Sequence, residues 1–500
     1  MSATLLVALR YYNILEILKM RCWTLKLYDL IKGIANIHIP NREIVSITDD
    51  SRKIEKDCIF VCVKGGSFDG HSKAKDAVDM GAIVVVDHNL NLENQIIVPN
   101  TREFYGELCC AWFGNPEKKM KFIGVTGTNG KTTMTNVIKH ILTDNDYKVG
   151  LIGTIQNEIG DEVIHTDNTT PMAFDLMALL DKMYKAGCDY VVMEVSSFGL
   201  VQHRIGAIHF DTAVFTNLTQ DHLDYHKTME NYYQAKKMLF DICDKAIVCI
   251  DDDYGVRLFN EITCEKYSYS ITKEADFFAT NPVIKSDGTS FRFNTLDDSY
   301  DINMKMVGSF NVANVTGVMS VCLAEGIPFE NIKQSVEKCH GVKGRCEVIP
   351  TGKDFSVICD YAHTPDAIEN ILKSVKEYTT GRLICLFGCG GNRDKTKRPL
   401  MCKSALKYAD KLIITSDNPR NENPQDIIND ILVGLEGETA IPYDVVVDRI
   451  DAIHHAIKTA KTGDIIVLAG KGHEDYQILA NNVHIHLDER EIVADALKTL

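Results

Sequence analysis

Residues 121–142 read KFIGVTGTNGKTTMTNVIKHIL: an apolar run of strand length, a glycine turn, then a segment with helical periodicity. The turn is Gly127-Thr128-Asn129-Gly130-Lys131-Thr132-Thr133. Glycines let backbone N–H groups approach phosphate oxygens, and the helix start adds the positive end of its dipole. Lys131 supplies a mobile charge and Thr132 a hydroxyl suited to Mg²⁺. The spacing GxxxxGK[ST] is not met, because Val125 stands where its first glycine would be. GTNGKT is a shorter variant. The bland alternative is an ordinary glycine turn, which GK[ST] after an apolar strand outweighs. Nucleotide phosphates are therefore expected here. Motors, switches and kinases share such a loop, so it does not name a reaction.

The flanking sequence continues the pattern. YVVMEVSS (190–197), TAVFTNL (212–218) and KAIVCIDDD (245–253) read as buried strands between helices. Continuous β-branched runs predict a mostly parallel sheet covered on both faces. Upstream, IVSITDDSR, CIFVCVKGG, AIVVVD and QIIVP alternate with turns, and DGHSKAKDAVDMGA reads as a helix ending at Gly81. A helix from Thr101 should stop at Gly114-Asn115-Pro116. From Gly341 onward, FSVICDYAH, RLICLFGCGG, KLIITSDNP, YDVVVD and DIIVLAGKGHE alternate with amphipathic helices, a second doubly wound unit. The expected fold is α/β: a small block over 23–115, a central block over 116–340 and a Rossmann-like block over 341–500. A chain of 500 residues fits about three domains. Residues 1–22 are expected to be an extension, either an extra helix or sequence upstream of a start at Met20. Arg10, Glu16 and Lys19 interrupt it and no cleavage site follows, unlike a signal peptide.

Lys plus Arg number 54 and Asp plus Glu 69, a net charge of −15, which argues against a general nucleic-acid binder. No long charge-free apolar run predicts a membrane span. None of the 16 cysteines forms a CxxC, and several sit inside apolar runs, as expected of small buried hydrophobes in a reducing compartment. Finger-type zinc spacing is absent.

Three acidic, basic or histidine positions stay open on chemistry alone. Glu194 ends a buried strand, where a carboxylate needs a cation such as Mg²⁺, although Ser196 and Ser197 beside it also suit a helix cap. DHLDYH carries Asp221, His222, Asp224 and His226. HxxxH could bind zinc, but no third ligand is evident, and Asp221 alone reads as a helix cap. Lys236 in YYQAKKMLF reads as a surface lysine.

Taken together, GTNGKTT, NTTP (168–171), MEVSS to LVQHR (193–204), FTNLTQDHLDYH (215–226), YYQAKKMLF, GSFNVANV (308–315), GVKGRCE (341–347), DYAHTPDA (360–367), GCGGNRDKTKRP (388–399), DNPR (417–420) and GKGHEDYQ (470–477) resemble the Mur ligase family, from about Leu25 to the C-terminus. The resemblance implies a three-domain architecture: a UDP-binding domain, a central P-loop ATPase-like parallel sheet and a C-terminal Rossmann-like domain that brings an amino acid. It implies cytoplasmic, ATP- and Mg²⁺-dependent amide formation in peptidoglycan precursor synthesis, through an acyl phosphate displaced by an amine. The substrates would be UDP-MurNAc-L-Ala-D-Glu and meso-diaminopimelate. A monomer, with no nucleic-acid partner and no stable membrane insertion, is expected.

By that resemblance Lys131 and Thr132 serve the phosphates and first Mg²⁺, with Glu194 and His222 on the metal side. Lys236 matches a lysine that is carbamylated, converting a cation into a carboxylate-like Mg²⁺ ligand. Asn311 and Asn314 should lie near adenine, and Arg345 and Asp360 should reach ATP from the third domain, making domain closure part of site assembly. Ser51, Thr169, Thr170, Ser196, Gln202 and Arg204 should hold the UDP-linked substrate. Phe198 departs from the family's usual histidine, and Gly66-Ser67-Phe68 departs from its usual uridine loop.

Arg393, Asp417, Asn418, Pro419, Arg420, Gly470 and Glu474 match the amino-acid site. Diaminopimelate has an amine and a carboxylate at its far end, whereas lysine has only the amine. Arg420 can grip that carboxylate with two charge-assisted bonds, unless it merely neutralises a neighbour such as Glu422. Arg382 to Arg420 carries nine Lys or Arg against three Asp or Glu, a local excess that suits a polyanionic ligand. A lysine-adding ligase, a paralogue with another acceptor, a P-loop switch and an inactive binding module are the alternatives. GCGGNRD and GKGHE have no evident task in a switch.

Overall fold

Four β-branched runs become the first sheet in the computed structural model, which describes residues 24–34, 39–66, 68–166, 168–285, 288–437 and 441–500, with the side chain of Asp224 excluded. The expected extension over 1–22, Cys22 and Ser67 lie outside these residues. The strands are β1 (Ser46–Thr48), β2 (Cys58–Val61), β3 (Ile83–Val86) and β4 (Gln95–Ile97), all parallel and in sequence order. Phe60, Val84 and Val86 pack with Ala74 and Ala77 of the helix Ala74–Asp79. The helix Thr101–Trp112 starts at Asn100, whose carboxamide oxygen accepts from two backbone N–H groups, and gives way to the left-handed pair Gly114-Asn115.

By contacts the chain falls into two units. The first comprises Met1–Asn129, Asp146–Ala246 and Asn260–Lys266. Besides the sheet above, it holds β5 (Lys121–Thr126), β6 (Val149–Ile152), β7 (Asn157–Ile159), β8 (Glu162–Ile164), β9 (Tyr190–Glu194) and β10 (Phe210–Phe215). Their spatial order is β8-β7-β6-β9-β5-β10. β6, β9, β5 and β10 are parallel, so Gly153, Glu194, Gly127 and Thr216 follow at one sheet edge. Ligands gather at the carboxyl ends of parallel strands.

The second unit comprises Gly130–Asn145, Ile247–Phe259 and Tyr267–Leu500. In it β11 (Phe277–Lys285), β12 (Gly288–Asn294) and β13 (Ser299–Met304) form an antiparallel meander. The helix Ser309–Ala324 packs on the helix Lys131–Asp144. The remaining sheet has the order β14-β15-β19-β16-β17-β18, from Glu347–Ile349, Ser356–Asp360, Ile465–Ala469, Leu383–Phe387, Lys411–Ile414 and Tyr443–Val445. Only β14 is antiparallel. Alternate residues serve opposite faces. Leu383, Cys385 and Phe387 pack with Ile368, Leu372 and Met401, while Ile384 and Leu386 pack with Ile453, Ile457 and Val493. This is the doubly wound arrangement expected from the sequence.

One ion pair is enclosed in that layer. Arg449 and Glu489 have fully buried side chains, with Nη2 2.8 Å from Oε1. The guanidinium also donates to the carbonyls of Ser416 (3.2 Å) and Ala469 (2.9 Å). Glu489→Ala would strand a buried cation, so it is expected to cost about 3–5 kcal/mol of stability, read by denaturant unfolding. A loss under 1 kcal/mol would refute that role.

The fifteen described cysteines are all free, and all but Cys264 are buried. Cys389, close to the expected amino-acid site in sequence, has its thiol pushed up to about 12 by burial, the opposite of a reactive thiolate. Among the described residues, no helix is long and apolar enough to cross a membrane.

Candidate active site

The phosphate loop is held from behind by two segments. Gly127 has φ +145, and a Cβ there would lie 1.9 Å from Thr216 Oγ1, so only glycine fits. Asn217 takes the Thr128 N–H on its carbonyl (2.9 Å) and the Asn129 N–H on its side chain (3.0 Å). Thr216 Oγ1 donates to the Asn129 carbonyl at 2.6 Å. The Thr128 and Asn129 N–H groups and the Asn129 carbonyl are thus tied to this scaffold, which fixes the path of the turn.

Lys236 is 1% exposed and donates to the Gly127 carbonyl at 2.7 Å, with its amine 4.6 Å from the Tyr232 ring centroid. The surface position read from its local sequence is therefore corrected: long-range packing of the helix Met229–Lys237 buries it beneath the loop.

Glu194 is 1% exposed at the end of β9. Its carboxylate accepts from Thr154 N (2.8 Å) and Thr154 Oγ1 (3.0 Å). Thr154 Oγ1 is also 3.0 Å from Thr169 Oγ1. Thr170 Oγ1 donates to the Glu194 carbonyl (2.9 Å) and accepts the Ser196 N–H (3.0 Å). Ser196 caps the short helix Ser197–Val201 by accepting from Gly199 N, so the capping reading holds for that serine. Arg204 donates to the Thr170 carbonyl (2.9 Å) and twice to Gln202 Oε1 (3.1 and 2.8 Å). Thr169, Thr170, Glu194, Ser196, Gln202 and Arg204 thus form one bonded cluster. Burial draws the Arg204 guanidinium below its ordinary pKa, and no carboxylate among the described residues pairs with it. No hydrogen bond joins Ser51 to this cluster; Ser51 opens a turn capped by Asp50.

The histidine motif does not fold as a two-histidine metal site. His222 is exposed and left-handed, with φ +52, just before the helix Leu223–His226. His226 is 5% exposed, 2.9 Å from Ser197 Oγ and stacked on Tyr232. Asp221 is not the helix cap expected of it; its carboxylate accepts from His222 N instead.

In the second unit, Gly130 (φ +88) leads into the helix Lys131–Asp144, where Lys131 is half-buried and Thr132 and Thr133 are buried. Arg345 Nη2 lies 3.4 Å from Thr132 Oγ1, and its guanidinium sits over the Tyr361 ring at 5.2 Å. Asp360 accepts from Cys346 N (2.7 Å) and Ala362 N (2.8 Å). Burial raises its carboxyl, opposed by Arg345. Asn311 and Asn314 are buried and bonded to each other at 3.3 Å.

The ends of β16, β17 and β19 bring the amino-acid candidates to one edge. Gly470 has φ +116, and a Cβ would meet Asp417 Oδ2 at 2.7 Å, so glycine admits that carboxylate. Asn418 Nδ2 donates to Glu474 Oε2 at 3.0 Å. Arg420, with φ +50, donates to the carbonyls of Gly391 (3.0 Å) and Asn418 (3.5 Å). Glu422 is engaged elsewhere: Arg398 meets both its oxygens at 3.0 Å and holds the carboxyl down to about 2. Arg420 therefore does not neutralise Glu422. The carbonyl of Pro419 lies where a Cβ on Gly391 would be, and Arg393 is exposed beside Gly390.

Comparisons of sequence and of structure with known proteins agree on the family. The Mur ligase family catalytic domain matches residues 43–112, the Mur ligase middle domain 125–322, and the Mur ligase glutamate ligase domain 344–472. A UDP-N-acetylmuramoyl-L-alanyl-D-glutamate--2,6-diaminopimelate ligase of Clostridium acetobutylicum is 45% identical over 479 residues, 95% of this chain and 98% of that protein. The chain belongs to the Mur ligase family.

A solved diaminopimelate ligase of the same name superposes with a TM-score of 0.72 at 30% identity, covering 95% of this chain and 99% of its own. The Mur ligase MurF of Thermotoga maritima, solved with ADP, shares the fold at a TM-score of 0.57 and 17% identity, covering 91% and 97%. Phe198 packs its ring against Tyr225 (4.4 Å) and His222 (5.2 Å).

Residue reading missed Lys471, whose amine is fully buried and donates to Asn418 Oδ1 (2.5 Å), Glu474 Oε2 (3.1 Å) and the Tyr476 carbonyl (2.8 Å). It braces two amino-acid candidates of the Mur ligase. Its place inside GKGHE was the only signal. Thr154, the partner of Glu194, gave none.

Proposed function

We propose that this chain is the ATP-dependent ligase that joins meso-2,6-diaminopimelate to UDP-MurNAc-L-Ala-D-Glu. The observation that carries this choice is Arg420, a guanidinium bonded to carbonyls while the nearest acid in sequence is held by Arg398. The far carboxylate of diaminopimelate supplies the missing anion; lysine does not.

The reaction needs two anions, a γ-phosphate and a carboxylate, brought together. Lys131 and the amides at the start of its helix hold the phosphates, and Arg345 approaches from beside Thr132 to offset charge that develops in transfer. Arg204 suits a substrate carboxylate, with Thr169, Thr170, Ser196, Gln202 and Ser51 along the UDP-linked substrate. Asn311 and Asn314 serve the adenine, with Asp360 orienting the Arg345 segment. The phosphorylated carboxyl gains a leaving group; the incoming amine forms the amide and phosphate departs. Asp417, Asn418, Pro419, Gly470, Glu474 and Arg393 place that amine.

The buried carboxylate Glu194 among hydroxyls offers hard oxygen donors of the kind that fit Mg²⁺, and the Thr132 hydroxyl is a donor of the same kind. His222 and a carbamylated Lys236 complete the reading. Mg²⁺ supplies charge neutralisation at the phosphates. Domain limits of 23–115, 116–340 and 341–500, a monomeric state and a cytoplasmic location belong to the same proposal.

The test incubates the chain with ATP, Mg²⁺, the UDP-dipeptide and each diamino acid. Phosphate release with diaminopimelate at least about 100-fold above lysine is expected. Equal turnover would overturn the Arg420 argument.

A further inference from the structure

The carboxyl ends of β2 and β3 carry a cluster to which the proposed function assigns no role. The strands pair in parallel, Val61 opposite Val85, and Cys62 N donates to the Val85 carbonyl at 2.9 Å. The loop after β2 doubles back through the bond from Gly70 N to the Val63 carbonyl (3.0 Å). His71 is thereby set beside Asp87 and His88. We propose that His71, Asp87 and His88 bind a divalent d-block cation of the Zn²⁺ class, with Asp69 orienting the His71 ring.

The geometry around His71 carries the argument. Its side chain is 9% exposed, and Nδ1 lies 2.7 Å from Asp69 Oδ1. Nε2 faces the Asp87 N–H at 3.4 Å and Asp87 Oδ1 at 3.2 Å. A proton on Nδ1, given to Asp69, leaves a lone pair on Nε2 pointing at a carboxylate oxygen. That lone pair takes only a long contact from the Asp87 N–H, at 3.4 Å, and a cation placed between Nε2 and Asp87 Oδ1 would gain both atoms as ligands. A carboxylate behind the other ring nitrogen is how metal-binding imidazoles are commonly fixed. His88 Nδ1 approaches the same Asp87 oxygen at 2.5 Å, and the two imidazoles stack with centroids 5.2 Å apart.

One ligand atom from each of the three residues lies within 4.8 Å of the others, the sole such group of His, Cys, Asp and Glu among the described residues. Ligands around tetrahedral zinc, at about 2.0–2.2 Å from the ion, stand roughly 3.3–3.5 Å from one another. A small adjustment closes the cluster on an ion, with water as fourth ligand. Two imidazoles select Zn²⁺, Co²⁺ or Ni²⁺ over Mg²⁺. His88 is 61% exposed, which leaves the ion a way in. Once bound, the ion would fasten the loop after β2 to the end of β3.

The test titrates Co²⁺ into the full chain in excess Mg²⁺, which occupies hard-oxygen sites, and follows the visible absorption of the metal. One equivalent with a tetrahedral-type spectrum is expected, displaced by Zn²⁺. His88→Ala should weaken binding at least about tenfold, and Asp69→Asn by about 10–100-fold. Zn²⁺ should raise the unfolding temperature of the parent chain and not of His88→Ala, a position exposed enough to keep the fold. His486→Ala, in another sheet, should change nothing. Binding unaltered by His88→Ala and Asp87→Asn, a thiolate-type absorption band, or no binding at all would overturn the proposal.

Discussion

Lys236→Ala is expected to lower the ligation rate by about three orders of magnitude, the scale of losing one preorganised charge at a transferring phosphoryl group. Its amine is enclosed, within 2.7 Å of the Gly127 carbonyl. Carbamylation converts the ammonium to a carbamate by adding CO₂ with loss of two protons, one to free the amine and one as the N–C bond forms, turning a cation into an anion beneath the phosphate loop. The carbamate reading makes a specific demand. Formate, acetate or propionate added to Lys236→Ala should recover part of the rate, because a small carboxylate can enter the vacated space and stand in for the carbamate. Rescue by short alkylamines instead would assign the function to the ammonium and sink the carbamate. Phosphate release at saturating ATP, with and without each additive, measures both.

Arg420→Ala should lower kcat/KM for diaminopimelate by about 10²–10³, mostly through KM, and leave the weak reaction with lysine nearly unchanged. Two charge-assisted bonds to one carboxylate account for that range. Arg420→Lys should recover little, because a point charge cannot reproduce the paired geometry. The left-handed backbone at this position, φ +50, favours Asn as a further replacement that keeps the conformation. Equal losses for both amino acids would make Arg420 a structural residue, bracing the carbonyls of Gly391 and Asn418, and would end its role in choice of substrate.

The strands and the phosphate loop were legible because β-branched runs and GTNGKTT are local signals. Alternation along β16 even separates the two faces of its sheet. The positions of Lys236, Lys471 and Arg449 were not legible. Each is a long polar side chain whose burial depends on partners far away in sequence, such as Gly127, Asn418 and Glu489. The same reason hid the different fates of His222 and His226, four residues apart: one is exposed in a left-handed turn, the other is buried on Ser197. Arg420 was legible as chemistry, but that Glu422 was taken required the distant Arg398 and its packing.

Arg449 reaches the carbonyls of Ser416 and Ala469, which immediately precede Asp417 and Gly470. The parts that would choose the amino acid hang from a clamp that never meets it. Selectivity and abundance therefore have separate genetic addresses. On the proposed role, substitutions at Arg420 would retune acceptor choice while the frame stays intact, whereas substitutions at Arg449 or Glu489 would deplete folded protein before altering choice. A selection scored only on growth would merge the two classes, and scoring soluble protein alongside would separate them.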